Sequence, residues 1–96
     1  MVTLDTLRRE KKAAIMRLAE VHGARSIRVF GSVARGDNQE SSDVDFLVEF
    51  DERRTLFDLI GLRLDLCELL EAEVDVVTPA SLRYVRDAVL AEAKPI

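Results

Sequence analysis

The sequence predicts an α+β fold: a small mixed β-sheet of about three strands with helices mainly on one face. Three observations carry that expectation. Val44 to Phe50 alternates apolar and polar residues with a single interruption at Leu47, as a half-buried strand does. Leu4 to His22 spaces its apolar residues at helical intervals. The elements then follow one another as helix, strand, short helix, strand, helix, strand, helix. Ninety-six residues leave room for one domain, residues 1–96, with an expected radius of gyration of about 12 Å. An active cleft on so small a body is a surface groove.

The first helix runs from Leu4 to His22, with Thr3 as N-cap, Gly23 as the stop, and Leu4, Leu7, Ile15, Leu18 and Val21 as its apolar stripe. Lys11 falls where that stripe asks for an apolar residue; its stem can lie along the groove with the ammonium reaching out. Ser26 to Phe30 reads as a short strand ending at Gly31. In the strand from Val44 to Phe50, period two turns Val44, Phe46, Val48 and Phe50 to the core, and Asp43, Asp45, Leu47 and Glu49 away from it. Asp51 to Arg54 is a polar turn, and Thr55-Leu56-Phe57-Asp58 starts a helix to about Ala72 in the manner of a capping box. Val74 to Thr78 is the third strand, stopped by Pro79. Ser81 caps a last helix carrying Leu82, Val85, Val89 and Leu90, which Pro95 ends.

The middle helix is apolar over an arc of roughly 240°, against the ~100° that one core-facing side needs. Only Asp58, Gly61, Asp65 and Glu68 make a polar side. Either the helix touches both the sheet and a neighbouring helix, or part of the arc, such as Phe57, Ile60 and Leu64, contacts another protein chain.

Fourteen Lys and Arg against eighteen Asp and Glu leave a net charge of −4, which argues against a general nucleic-acid binder. The single Cys67 has no internal disulfide partner, in keeping with a reducing compartment. No run approaches the ~20 apolar residues of a membrane span, and Thr3-Leu4-Asp5-Thr6 does not read as a signal peptide. The expected location is cytoplasmic.

The segment that carries chemistry is Phe30-Gly31-Ser32-Val33-Ala34-Arg35-Gly36-Asp37, followed by Ser41-Ser42-Asp43-Val44-Asp45. A glycine after a strand lets backbone approach a ligand, the free N–H groups of a helical turn attract anions, and the Ser32 hydroxyl adds a donor. Asp43 and Asp45 project from one face of their strand, about 6.7 Å apart at the backbone, so both can converge on divalent cations. Asp75 shares that edge if its strand lies beside theirs, with Glu73 as the competitor at the helix-to-strand junction. An EF-hand loop starting at Asp37 is excluded, because Ser42 and Val48 stand where it needs Gly and Glu.

Gly31-Ser32-x-Ala34-Arg35-Gly36, then Ser42-Asp43-x-Asp45, then Val74-Asp75-Val76-Val77-Thr78-Pro79 resembles the minimal nucleotidyltransferases of the DNA polymerase beta superfamily. The ending Glu92-Ala93-Lys94-Pro95-Ile96 is similar to the family's short C-terminus, so the resemblance spans essentially the whole chain. It implies a polymerase beta-like catalytic sheet, with Asp43, Asp45 and Asp75 as catalytic magnesium ligands (two ions) and Gly31, Ser32 and Arg35 at the nucleotide, ATP. It further implies an antitoxin paired with a toxin of the HEPN (higher eukaryotes and prokaryotes nucleotide-binding) family, in a hetero-oligomer, with AMP moved from ATP onto a Tyr of the toxin. The reading from another class is a non-catalytic module that neutralises its partner by covering it. A small-molecule nucleotidyltransferase of the antibiotic-modifying sort usually recruits a further domain. His22, Cys67 and the basic run Arg8, Arg9, Lys11 and Lys12 are expected to be structural or solvated, and Tyr84 partly buried on the last helix.

Overall fold

Four strands form the sheet, one more than the sequence led us to expect. The computed structural model describes residues Met1–Ile96. β1 (Ala24–Phe30), β2 (Val44–Phe50), β3 (Val74–Val77) and β4 (Lys94–Pro95) stand in the order β3-β2-β1-β4. β1 runs antiparallel to both β2 and β4, while β2 and β3 are parallel, so the sheet is mixed as expected. β4 has only two residues and contains Pro95, which is expected to end a helix rather than join a sheet. Two residues show no periodicity, and proline is tolerated at a sheet edge, so nothing local announces this strand. The radius of gyration is 12.4 Å.

The alternation of β2 is borne out: Val44, Phe46 and Val48 are buried in one cluster of 16 core residues. Leu47 points away from that cluster yet is also fully buried. The second face of the sheet is therefore covered at its middle, where the 3₁₀ turn Pro79–Ser81 lies against β2.

The N-terminal helix is not uniform. α1 (Leu4–Thr6), capped by the Thr3 side chain, leads into a π-helical turn at Leu7–Lys11 and then α2 (Lys12–Val21). A π turn holds an extra residue and shifts the phase of the helix beyond it. That is why Lys11 breaks the stripe while Leu7 and Ile15 are both fully buried. The same phase turns Val21 outward, 63% exposed, contrary to its expected place in the stripe. His22 takes the inward position instead. Its ring bonds Asp65 at 2.7 Å, and Gly61 makes room for it, since a Cβ there would lie 2.8 Å from the ring.

α4 (Leu56–Leu70) carries the expected capping box between Thr55 and Asp58. Leu62, Leu66 and Leu70 fill the core, whereas Leu56, Phe57, Ile60 and Leu64 remain exposed. The wide apolar arc is thus one core face plus one face that this chain leaves uncovered. The last helix, α5, spans only Arg86–Glu92. Ser81 does not cap it: its hydroxyl turns back onto the Thr78 carbonyl at 2.8 Å, closing the turn that Pro79 starts. Leu82 to Val85 are consequently outside the helix, and Tyr84, expected to be partly buried, is 96% exposed.

Candidate active site

The end of β1 and the starts of β2 and β3 meet at one corner of the sheet. Phe30 pairs with Asp45 across the antiparallel ladder, and Asp45 pairs with Asp75 across the parallel one. Adjacent strands lie about 4.8 Å apart, so the carboxylates of Asp45 and Asp75 share one face at that spacing. Asp43 stands one residue before β2 and is exposed, Asp45 is half-buried, and Asp75 is exposed on the edge strand. The gathering of the three acids at one corner follows the sequence reading, because the β2–α4–β3 crossover lays β3 parallel beside β2. Glu73 lies outside the strand, 3.8 Å from the Arg63 guanidinium.

Above Asp45 sits α3 (Gly31–Arg35), the short helical turn that follows β1. Gly31 has a φ of 71°, and a Cβ at this position would collide with the Asp45 carboxylate. No other residue satisfies both demands. The turn closes at Gly36, also left-handed, whose N–H bonds the Ser32 carbonyl at 2.9 Å. A hairpin-like turn through Gln39 and Ser42, bonded in both directions, then returns the chain to Asp43.

The electrostatics of the corner are strained. Burial, followed by the negative charges of Asp75 and Asp43, pushes the Asp45 carboxyl up to about 6, with Arg35 pulling partly the other way. No lysine or arginine forms an ion pair with any of the three acids. Arg35 is otherwise engaged: it bonds Asp37 at 3.1 Å and both oxygens of Glu92 at 3.0 and 3.1 Å, and these bonds hold its guanidinium pKa above the usual value.

Glu92 belongs to this site and was missed by the sequence reading. It accepts the Gly31 N–H at 2.6 Å from the last residue of α5. No local pattern marks it; only its place in the C-terminal segment resembling the family's offered a signal.

Asp43, Asp45 and Asp75 are the side chains that could hold a divalent cation here. No three acidic, His or Cys groups close into a ready-made cage. Magnesium, however, is typically held by one or two carboxylates together with substrate phosphates, not by an all-protein cage. A hard-oxygen donor set with uncompensated negative charge fits that mode of binding.

The chain is similar to several known proteins. The family model described as the nucleotidyltransferase domain matches residues 11–96. The protein adenylyltransferase MntA of Thermococcus cleftensis is 42% identical over 83 residues, covering 86% of this chain and 84% of that protein. A Methanocaldococcus jannaschii protein provisionally named a protein adenylyltransferase is 42% identical over 85 residues, 88% of this chain and 91% of its own length. Among solved structures, one described provisionally as a minimal nucleotidyltransferase superposes with a TM-score of 0.87 at 47% identity, covering 99% of this chain and 97% of its own. A crystal structure of a toxin–antitoxin with AMP-PNP shares the fold, with a TM-score of 0.73 at 23% identity over 88% of this chain and 70% of that one.

Proposed function

The chain belongs to the nucleotidyltransferase domain family, and from that premise we propose that it transfers AMP from ATP to a hydroxyl of a partner protein. In this reading it is the antitoxin of a toxin–antitoxin pair, and the partner is a toxin of the HEPN family that presents a Tyr. The observation that carries the reading is the meeting of Asp45 with Asp75 beneath Gly31. Three acids left without a cation at the end of a glycine-bearing turn are costly to a fold and useful to a phosphate-transfer site.

In the transfer, the acceptor oxygen attacks the α-phosphorus of ATP, the bond from that phosphorus to the bridging oxygen breaks, and pyrophosphate leaves. The N–H and hydroxyl of Ser32 donate to the triphosphate, over a turn brought close by Gly31. Asp43 and Asp45 would hold magnesium on the triphosphate side, with Asp75 sharing a second ion on the acceptor side. Magnesium, when bound, supplies neutralisation of the triphosphate charge and a lowered pKa for the acceptor hydroxyl. Asp75, exposed on the edge strand, is open to a hydroxyl arriving from outside and takes its proton. Arg35 pairs with Asp37 and Glu92 beside the turn rather than with the three acids.

The names of the relatives and the exposed apolar side of α4 support a protein as acceptor. That same side of α4 also favours the second reading, a binder that silences its partner without chemistry. Incubating the chain with its partner toxin, ATP and magnesium, then weighing both proteins, separates them. Added AMP on the partner is the expected result; a tight complex of unchanged mass supports the binder.

A further inference from the structure

α3 has five residues, far fewer than the ~12–15 an isolated helix needs, so its shape comes from tertiary contacts. Val33 and Ala34 pack into the core, and two further contacts come from the C-terminal segment. At the start of the turn the Glu92 carboxylate accepts the Gly31 N–H at 2.6 Å; near its end the Lys94 ammonium donates to the Ala34 carbonyl at 2.9 Å. An acid at the N-terminal end and a cation at the C-terminal end match the partial charges of a helical turn. The segment that carries both side chains is anchored independently of α3. β4 pairs with β1 through Arg28–Pro95 and Val29–Lys94, Ile96 is buried in the core, and Arg8 donates to the Pro95 carbonyl at 2.8 and 3.2 Å.

We propose that Glu92 is a positioning residue for the nucleotide-binding turn: by accepting from Gly31 and gripping Arg35, it holds Ser32 in place for the triphosphate. The inference rests on the nucleotidyl-transfer reading of the site. Placing a fourth acid beside Asp43, Asp45 and Asp75 disfavours an anionic ligand unless the acid does something else there. Its two oxygens are committed to Gly31 and to the Arg35 guanidinium, which returns a positive charge to the same spot. Gly31 then serves the nucleotide through its missing side chain, because its N–H already has a partner, and Ser32 offers its N–H and hydroxyl as donors at the start of the turn.

The test is ATP binding, measured by calorimetry in magnesium-containing buffer, on the wild-type chain, Glu92→Ala and Glu92→Gln, each below its own melting temperature. Losing charge-assisted hydrogen bonds predicts about tenfold weaker ATP binding for Glu92→Ala, and a smaller, roughly threefold loss for Glu92→Gln, which keeps a carbonyl for Gly31. If Glu92→Ala does not fold, the threefold loss in Glu92→Gln decides alone. A variant that melts earlier but binds ATP as the wild type does would reduce Glu92 to a structural strut. Tighter ATP binding by either variant would make Glu92 a competitor of the phosphates, which also overturns the proposal. A wild-type chain that takes up no ATP sinks the transfer reading and this one together, whereas wild-type uptake with unchanged variants overturns the role of Glu92 only.

Discussion

Asp45 and Asp58 are the same amino acid in opposite circumstances. At the start of α4, Asp58 accepts the Thr55 N–H at 2.8 Å and meets the Arg54 guanidinium at 3.3 Å. The backbone bond first, then Arg54, holds its carboxyl below the ordinary value. At the corner of the sheet, burial and two neighbouring acids push Asp45 up to about 6. The fold ties down one negative charge with donors and leaves the other wanting a cation. A satisfied acid works for stability and an unsatisfied one for ligand binding, a contrast that substitutions can test.

Removing the unsatisfied charges has the largest effect. Asp43→Asn combined with Asp45→Asn should lower AMP transfer on the order of 10³-fold or more, as loss of a preorganised electrostatic site does. The melting temperature should not fall, since neither side chain belongs to the core and their mutual repulsion is relieved. A collapse in stability alongside activity would place them among the structural acids with Asp58. Asp75→Asn should slow transfer by about 10²–10⁴-fold, the usual worth of a general base, while ATP still binds. Undiminished transfer would contradict the role of Asp75.

The two faces of α4 offer an apolar counterpart. Leu66 is fully buried, so Leu66→Ala should cost about 2–5 kcal/mol in denaturant unfolding. Phe57 is 84% exposed, and Phe57→Ala should change stability by less than ~0.5 kcal/mol. If Phe57→Ala weakens the partner complex, the exposed face is a contact surface; an unchanged complex removes α4 from it.

The smallest effect is the pH dependence of Asp58. Its folded pKa lies below the unfolded one, so its contribution is complete above the unfolded value and disappears as pH falls through the folded value. Melting curves of wild type and Asp58→Asn should differ by a small constant amount near neutrality and converge in acid. A gap that persists in acid would mean the box holds through Thr55 alone.

Much of this was legible in the chain. The single-break alternation of Val44 to Phe50 determined which way Asp45 points, because a strand with one apolar face admits no other register. Thr55 and Asp58 announced the start of α4, and Gly31-Ser32 beside Asp43-x-Asp45 announced the corner with its chemistry. These are local patterns, and local backbone geometry is enough to read them. Three features were decided only by the tertiary structure. The π turn at Leu7–Lys11 re-phases the first helix to fit a core no helical wheel contains. β4 exists because Ile96 finds a place in that core, which brings Lys94 and Pro95 alongside β1. Glu92 reaches Gly31 across 61 positions of sequence, a contact that depends on where two distant segments come to rest and on nothing either segment states alone.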